Sequence, residues 1–256
     1  MLATFHLSKH FSKSSGPKDK MDFFLSPQQF WIPLLQIIGI NIVLSGDNAV
    51  VIALAARSLP AHQQRKAIAW GAGAAIAMRI VLTLFAVALL TFPYLKLIGA
   101  VLLIWIGIQL LLPDDGDENI ESHSNLMAAI KTILIADLVM SLDNVIGVAA
   151  AAKGSVSLLV IGLAISIPMV IFGATMLLKL MERFPIIITI GGGLLGYVAG
   201  EMAVSDPAVK GWVDANMPIL HEAAAIAGVA VVLVVGKLLA KKKIAAAAAR
   251  ELKPEA

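Results

Sequence analysis

Cysteine is absent from the 256 residues, which excludes disulfides, thiolate metal sites and thiol nucleophiles. Charge is scarce. Asp, Glu, Lys and Arg make up 14% of the chain, where soluble domains carry about 25%. Histidine is missing from the interior of every long apolar run: His62, His123 and His221 fall in loops or at run ends. Zn²⁺ and Cu⁺ sites inside such runs are therefore not expected. No G-x-x-x-x-G-K-[ST] sequence occurs, so the chain is not expected to use ATP. No nucleophile–base pairing stands out and nothing points to a nucleic-acid partner, so neither an enzyme nor a nucleic-acid binder is expected.

Apolar residues fill the space left by charge, at 59% of the chain and a mean hydropathy of +0.88. That composition predicts a polytopic membrane protein whose partner is the lipid bilayer. Only helices and closed barrels satisfy their backbone in lipid. The apolar runs here are helix-length and lack the period-2 alternation of barrel strands. Crossing the hydrocarbon takes about 20 apolar residues. Seven runs qualify, at residues 30–56, 67–91, 94–112, 126–152, 155–178, 186–203 and 220–240. The expected fold class is all-α, with seven transmembrane helices. Residues 1–25 are polar, are expected to be disordered and hold no apolar leader segment. Residues 113–125 read as a solvated acidic loop, and 241–256 as a basic tail that extends the last helix. Lys and Arg near run ends set orientation. With the N-terminus outside and the C-terminus cytoplasmic, the inner side receives Arg57, Arg65, Lys66, Lys179, Arg183 and the lysines at 241–243.

The chain repeats itself. A shift of 96 residues lays Asn41 on Asp137, Ser45 on Ser141, Asp47 on Asp143 and Asn48 on Asn144. Further along, "FPYLKLIGAVLLIWIGIQ" from Phe92 lies over "FPIIITIGGGLLGYVAGE" from Phe184, and Gln109 falls on Glu201. The unit holds three helices. Three is odd, so the second copy enters the membrane from the opposite side, as in the inverted repeats of secondary transporters. The expected division is a first repeat at 26–112, a second at 126–203, and a loop with a seventh helix at 204–240.

Asp47 and Asp143 stand mid-run in "NIVLSGDNAVVIALAA" and "DLVMSLDNVIGVAAAA", with Asp137 opening the second stretch. Each mid-membrane carboxylate costs roughly 2.5–3.5 kcal/mol to insert, so something must offset the charge. Arg79, in the middle of the second run, is the available internal cation, expected to form an ion pair or a gate. Three carboxylates against one guanidinium leave a formal excess that a divalent cation would neutralise. Asn41, Ser45 and Asn48 share one helix face, as do Asp137, Ser141 and Asn144, each at i, i+4, i+7. On ideal helices Asp47 and Asp143 sit about 120° from those faces. Local unwinding would correct this, and Gly46 favours it in the first copy. Leu142 disfavours it in the second. Asp, Asn and Ser, with Glu201 and Gln109, make an all-oxygen set suited to Mg²⁺, Ca²⁺ or Mn²⁺. The expected metal ligands are Asp47, Asn48, Asp137, Asp143, Asn144 and Glu201. Asn41, Ser45, Ser141 and Gln109 are expected to support them. Gly191, Gly192, Gly193 and Gly196 are expected to allow close helix packing.

At "LSGDNAVVIALAARSLP", "DLVMSLDNVIGVAAAAKG" and "GYVAGEM" the chain resembles the TerC/YjbE family of integral membrane proteins, which is similar in architecture to LysE-type exporters. The resemblance covers about residues 30–240. It implies a multi-pass protein of the bacterial inner membrane that exports metal ions, chiefly Mn²⁺, as substrate, with no tightly bound cofactor. It also implies Asp47, Asn48, Asp143 and Asn144 as ligands, with Asp137 and Glu201. Three other functions fit less of the sequence. They are an accessory factor that supplies metal to exported metalloenzymes, a membrane enzyme, and an exporter of an organic solute.

Overall fold

The computed structural model describes residues 30–85, 92–113, 122–152 and 154–251. The expected disordered tail at 1–25, most of the acidic loop, and residues 252–256 lie outside them. The described residues are helical with no strand. Their helices are α1 Ile32–Leu44, α2 Gly46–Ala56, α3 Ala61–Leu84, α4 Leu95–Leu111, α5 Ser122–Ala152, α6 Val156–Arg183, α7 Ile186–Val204, α8 Lys210–Asn216 and α9 Leu220–Glu251.

Every long apolar run forms helix within its described residues. Five helical segments are long and apolar enough to cross a membrane: Ala61–Leu84, Asn125–Leu142, Val156–Arg183, Ile186–Val204 and Leu220–Ala246. The pair α1 and α2, bent by 48°, makes a sixth if it is one span. The remaining run is the shorter helix α4, of 17 residues, whose length is about 26 Å at the α-helical rise. Large apolar side chains, among them Val43, Trp70, Val101, Phe172 and Ile190, point outward. In water so much exposed apolar surface would drive association, whereas lipid solvates it.

Local chemistry accounts for the element ends. Pro60, extended at ψ 146°, starts α3 at Ala61, six residues before the apolar run, because "AHQQRK" extends the helix as a polar first turn. Gly154 takes φ +79° in the turn that ends α5. Ser155 then caps α6 by accepting from the Leu158 N–H at 3.3 Å. The break between α1 and α2 falls at Ser45, whose φ of −103° and ψ of 1° leave helical geometry. This is the Ser-Gly position where unwinding is expected, and α5 runs unbroken past Leu142. The basic tail continues α9 as far as Glu251. The short helix α8 is not apparent in the sequence.

Helix contacts recur in a pattern. α5 packs on α3, and α1 and α2 pack on α6; α4 packs on α5, and α2 packs on α7. Individual side chains repeat it. A Cβ on Gly71 of α3 would lie 2.7 Å from Ile133 of α5, and one on Gly162 of α6 would lie 2.6 Å from Ile37 of α1. Ile37 and Ile133 are related by the 96-residue shift. α4 and α7 form a central pair, and α9 closes against both. Between α7 and α9 the approach is backbone on backbone, at Gly196, Gly200 and Gly228.

α4 and α7 run in opposite directions. Asp206, just beyond α7, is fully buried and sits at the start of α4. Its Oδ1 accepts from the Tyr94 N–H at 2.9 Å, and its Oδ2 from the N–H groups of Lys96 at 3.0 Å and Leu97 at 3.2 Å. It thus caps a helix from more than a hundred residues away and satisfies donors that α4 cannot satisfy itself. At the other end of α4, Arg57 donates to the Leu110 and Leu112 carbonyls, and Lys243 of α9 to that of Pro113. Arg57, Pro113 and Lys243 therefore share one face of the molecule, and Asp206 marks the other.

Burial alone would raise the Asp206 pKa. The N–H donors of Ala208, Tyr94, Leu97 and Lys96 outweigh it and hold the carboxyl below its usual range. Asp206→Ala is expected to cost about 1–3 kcal/mol, the price of unsatisfied buried donors. A depressed pKa means the contribution is complete above the unfolded value of about 3.9 and is lost as pH falls through the lower folded value. Thermal unfolding in detergent should show a gap between wild type and variant that is constant above about pH 5 and closes in acid.

Candidate functional site

The two i, i+4 pairs of the repeated motif converge. Asn41 and Ser45 on α1 and its break, and Asp137 and Ser141 on α5, turn toward a single guanidinium, that of Arg79 on α3. Arg79 is 2% exposed. Its Nη1 donates to Asn41 Oδ1 at 2.5 Å and to Ser45 Oγ at 3.2 Å. Its Nε donates to Ser141 Oγ at 3.0 Å, and its Nη2 to Asp137 Oδ1 at 2.5 Å. Ser141 in turn donates to Asp137 Oδ2 at 3.1 Å. Thr83, one turn on from Arg79, donates to its carbonyl at 2.7 Å. Four of the five guanidinium donors thus bridge α3 to both copies of the motif. Asn41 and Ser141 have no exposed surface, and Asp137 has 5%.

Asp137 and Arg79 cancel in formal charge. Asp47 does not join that pair. The break at Ser45 places it in the first turn of α2, where its Oδ1 accepts from the Asn48 N–H at 2.8 Å. A helix N-terminus favours such a carboxylate, so the local unwinding gives the mid-run charge a partial counter-charge. Asp47 is half-buried and within electrostatic reach of Arg79 and Asp137. Asn48 is buried and Asn144 half-buried. Asp143 lies on α5, and its side chain falls outside the described residues. Asn41 Nδ2 is buried without a hydrogen-bond partner among the described residues.

Glu201 and Gln109 are not brought to this cluster. Both are exposed. Glu201 interacts with Tyr197, one turn back on α7, and Tyr197 in turn lies within electrostatic reach of Glu222 of α9. Gln109 lines a cavity of about 380 Å³ with Arg57, Asn125 and Lys243, at the opposite end of the α4–α7 pair. The physical reason is the antiparallel run of α4 and α7: residues matched near the C-terminal ends of two antiparallel helices fall at opposite faces. That cavity is the face where Arg57 and Lys243 offset the carbonyl end of α4, and it does not contain Arg79. Among the described residues no three His, Cys, Asp or Glu side chains converge as a metal-binding group. Asp47 and Asp137 lie within electrostatic reach of each other. His62 is exposed and His221 half-buried. Met140 packs in the core, and Met169 and Met176 face outward.

The sequence carries little sign of Asp206 and its structural role. Its only local signal is an Asp-Pro pair after an apolar helix, which marks a turn but not a partner.

The family described as integral membrane protein TerC matches residues 26–244. The chain is 47% identical to a protein of Bacillus subtilis strain 168 described as uncharacterized membrane protein YjbE, over 75% of this chain and 90% of that one. It is 26% identical to the membrane protein YceF of the same organism, over 68% of this chain and 72% of the relative. Identity to the membrane protein YkoY is 25%, over 72% of this chain and 63% of the relative. No solved structure matches the chain.

Proposed function

Since the chain belongs to the TerC family of integral membrane proteins, we propose that it is a secondary transporter exporting divalent metal ions, Mn²⁺ foremost, from the cytoplasm. The metal is substrate, and its site lies at the junction of α1, α2, α3 and α5. Asp47, Asp137 and Asp143 supply charge, and Asn41, Ser45, Asn48, Ser141 and Asn144 supply neutral oxygens. What supports this most is the convergence of both copies of the motif on one buried, oxygen-rich centre, with Asp47 left over after Arg79 and Asp137 cancel. An all-oxygen, net-acidic site suits a hard divalent cation.

Two three-helix repeats of opposite direction frame the centre, with α9 as an added seventh span. The exchanged packing partners, the Ile37–Gly162 and Ile133–Gly71 contacts and the antiparallel α4–α7 pair support that frame. Alternating access follows from rocking one repeat against the other. The face bearing Arg57, Pro113 and Lys243 is cytoplasmic in this arrangement, in keeping with the cation excess there. The membrane is the bacterial inner membrane, with the N-terminus outside. The chain is no enzyme.

Cell manganese under Mn²⁺ load tests the proposal. Wild type is expected to hold less Mn than a deletion strain. Asp47→Asn and Asp143→Asn, at equal membrane abundance, are expected to hold as much as the deletion. Equal Mn in wild type and deletion strain would count against export. Purified protein that moves no Mn²⁺ into liposomes down a gradient would point instead to a metal-supply factor.

A further inference from the structure

The Arg79–Asp137 pair is an odd thing to bury. Taking both charges out of water is costly, and apolar side chains of similar volume often serve stability as well or better. Its geometry is more specific than charge cancellation requires. The guanidinium is held on one edge by α1, through Asn41 and Ser45, and on the other by α5, through Asp137 and Ser141. These four are two pairs matched by the 96-residue shift. The cation therefore lies between the two copies of the motif, where a metal shared by both copies would lie. It also grips Ser45, the residue at which the first span breaks. Asn41 Nδ2 has no hydrogen-bond partner among the described residues, so the cluster is closed around the guanidinium with one buried donor unmatched there.

We infer that Arg79 is a built-in counter-cation: its guanidinium holds Asp137 in the metal-free state, a divalent cation entering the site displaces it, and its departure releases α1 from α5. This rests on the metal-transport reading above and adds to it a competition between arginine and metal for one carboxylate. No bond is made or broken; two cations exchange places. The exchange keeps the centre from holding uncompensated carboxylates when empty. It also links metal occupancy to the contact between the repeats, because one side chain makes both.

Competition predicts an order of affinities that a purely structural arginine does not. Full-length protein, purified in detergent, is titrated with Mn²⁺, and export is measured in parallel as Mn²⁺ flux in liposomes. Arg79→Gln removes the competitor, so Mn²⁺ should bind at least tenfold tighter than to wild type while flux falls, since nothing displaces the bound metal. Arg79→Lys keeps the charge on a single ammonium that cannot hold all four partners, so its affinity should fall between the two. Arg79→Lys carries the test alone if Arg79→Gln does not fold. Wild type that binds and transports Mn²⁺, with variants that bind it no tighter, would overturn the counter-cation and leave the transport reading intact. Folded wild type and variants that all fail to bind Mn²⁺ would overturn both.

Discussion

Gly200→Ala, the smallest substitution available, is expected to destabilise the protein by about 3 kcal/mol, at the upper end of the usual overpacking cost. A Cβ at Gly200 would lie 2.1 Å from the Ala224 carbonyl oxygen and 2.6 Å from the Ala225 Cα. Both are backbone atoms of α9, so no rotamer change relieves the clash. The two helices must separate, and α9 is wedged against α4 as well, where Gly107 touches Val232. Lipid gives helices no hydrophobic reason to associate, so close backbone contact and van der Waals packing supply much of what holds α9 in place. Gly228→Ala should behave likewise, since its Cβ would lie 2.0 Å from the Gly196 carbonyl oxygen. Gly73→Ala in α3 is the control. Its Cβ meets nothing within 4 Å, and alanine is the better helix former. Thermal unfolding in detergent should separate the three. A Gly200→Ala protein as stable as Gly73→Ala would mean that α7 and α9 are not in backbone contact.

The second large effect concerns the buried ion pair. Asp137→Asn should cost about 3–5 kcal/mol, because it strands a guanidinium in the interior. Arg79→Gln should cost less, although it breaks the same contact. A carboxylate is the group that can be neutralised when its partner is removed, whereas a guanidinium stays charged. The Arg79→Gln/Asp137→Asn double variant should recover part of the loss. A double-mutant cycle is expected to give a coupling of about 2 kcal/mol or more. Coupling near zero would remove the Arg79–Asp137 bond from the list of what holds α3 to α5. Asymmetry in the opposite sense, with Arg79→Gln the worse variant, would show that Asp137 is the costlier partner to strand.

Much of the site was legible because it is built on local regularities. The i, i+4 spacing of Asn41 with Ser45 and of Asp137 with Ser141 sets each pair on one helix face whatever the neighbours are. Arg79 was the internal cation available to meet them. The break at Ser45 followed from a Ser-Gly step in a membrane helix, and the unbroken α5 from Leu142 in its place. Glu201 and Gln109 show where such reading stops. A repeat aligns residues along the chain, and only the relative direction of α4 and α7 says whether aligned residues meet. Here they lie at opposite faces, so the shared polar character of the two positions does not make a shared site. Asp206 shows the converse: a carboxylate near a turn looks solvated until the helix whose N–H groups it satisfies is seen beside it.

Hydropathy and motif spacing by themselves determined that the described chain is helical and membrane-embedded, and that two polar helix faces recur 96 residues apart. They did so because helical period and the cost of charge in lipid are properties of a segment and its solvent. Which faces meet was decided only by the tertiary structure. It brought both polar faces to one guanidinium, set α7 against α9 at backbone contact, and laid Asp206 on the start of α4. Those are distances between residues far apart in the chain, set by how whole helices pack, and no local pattern encodes them.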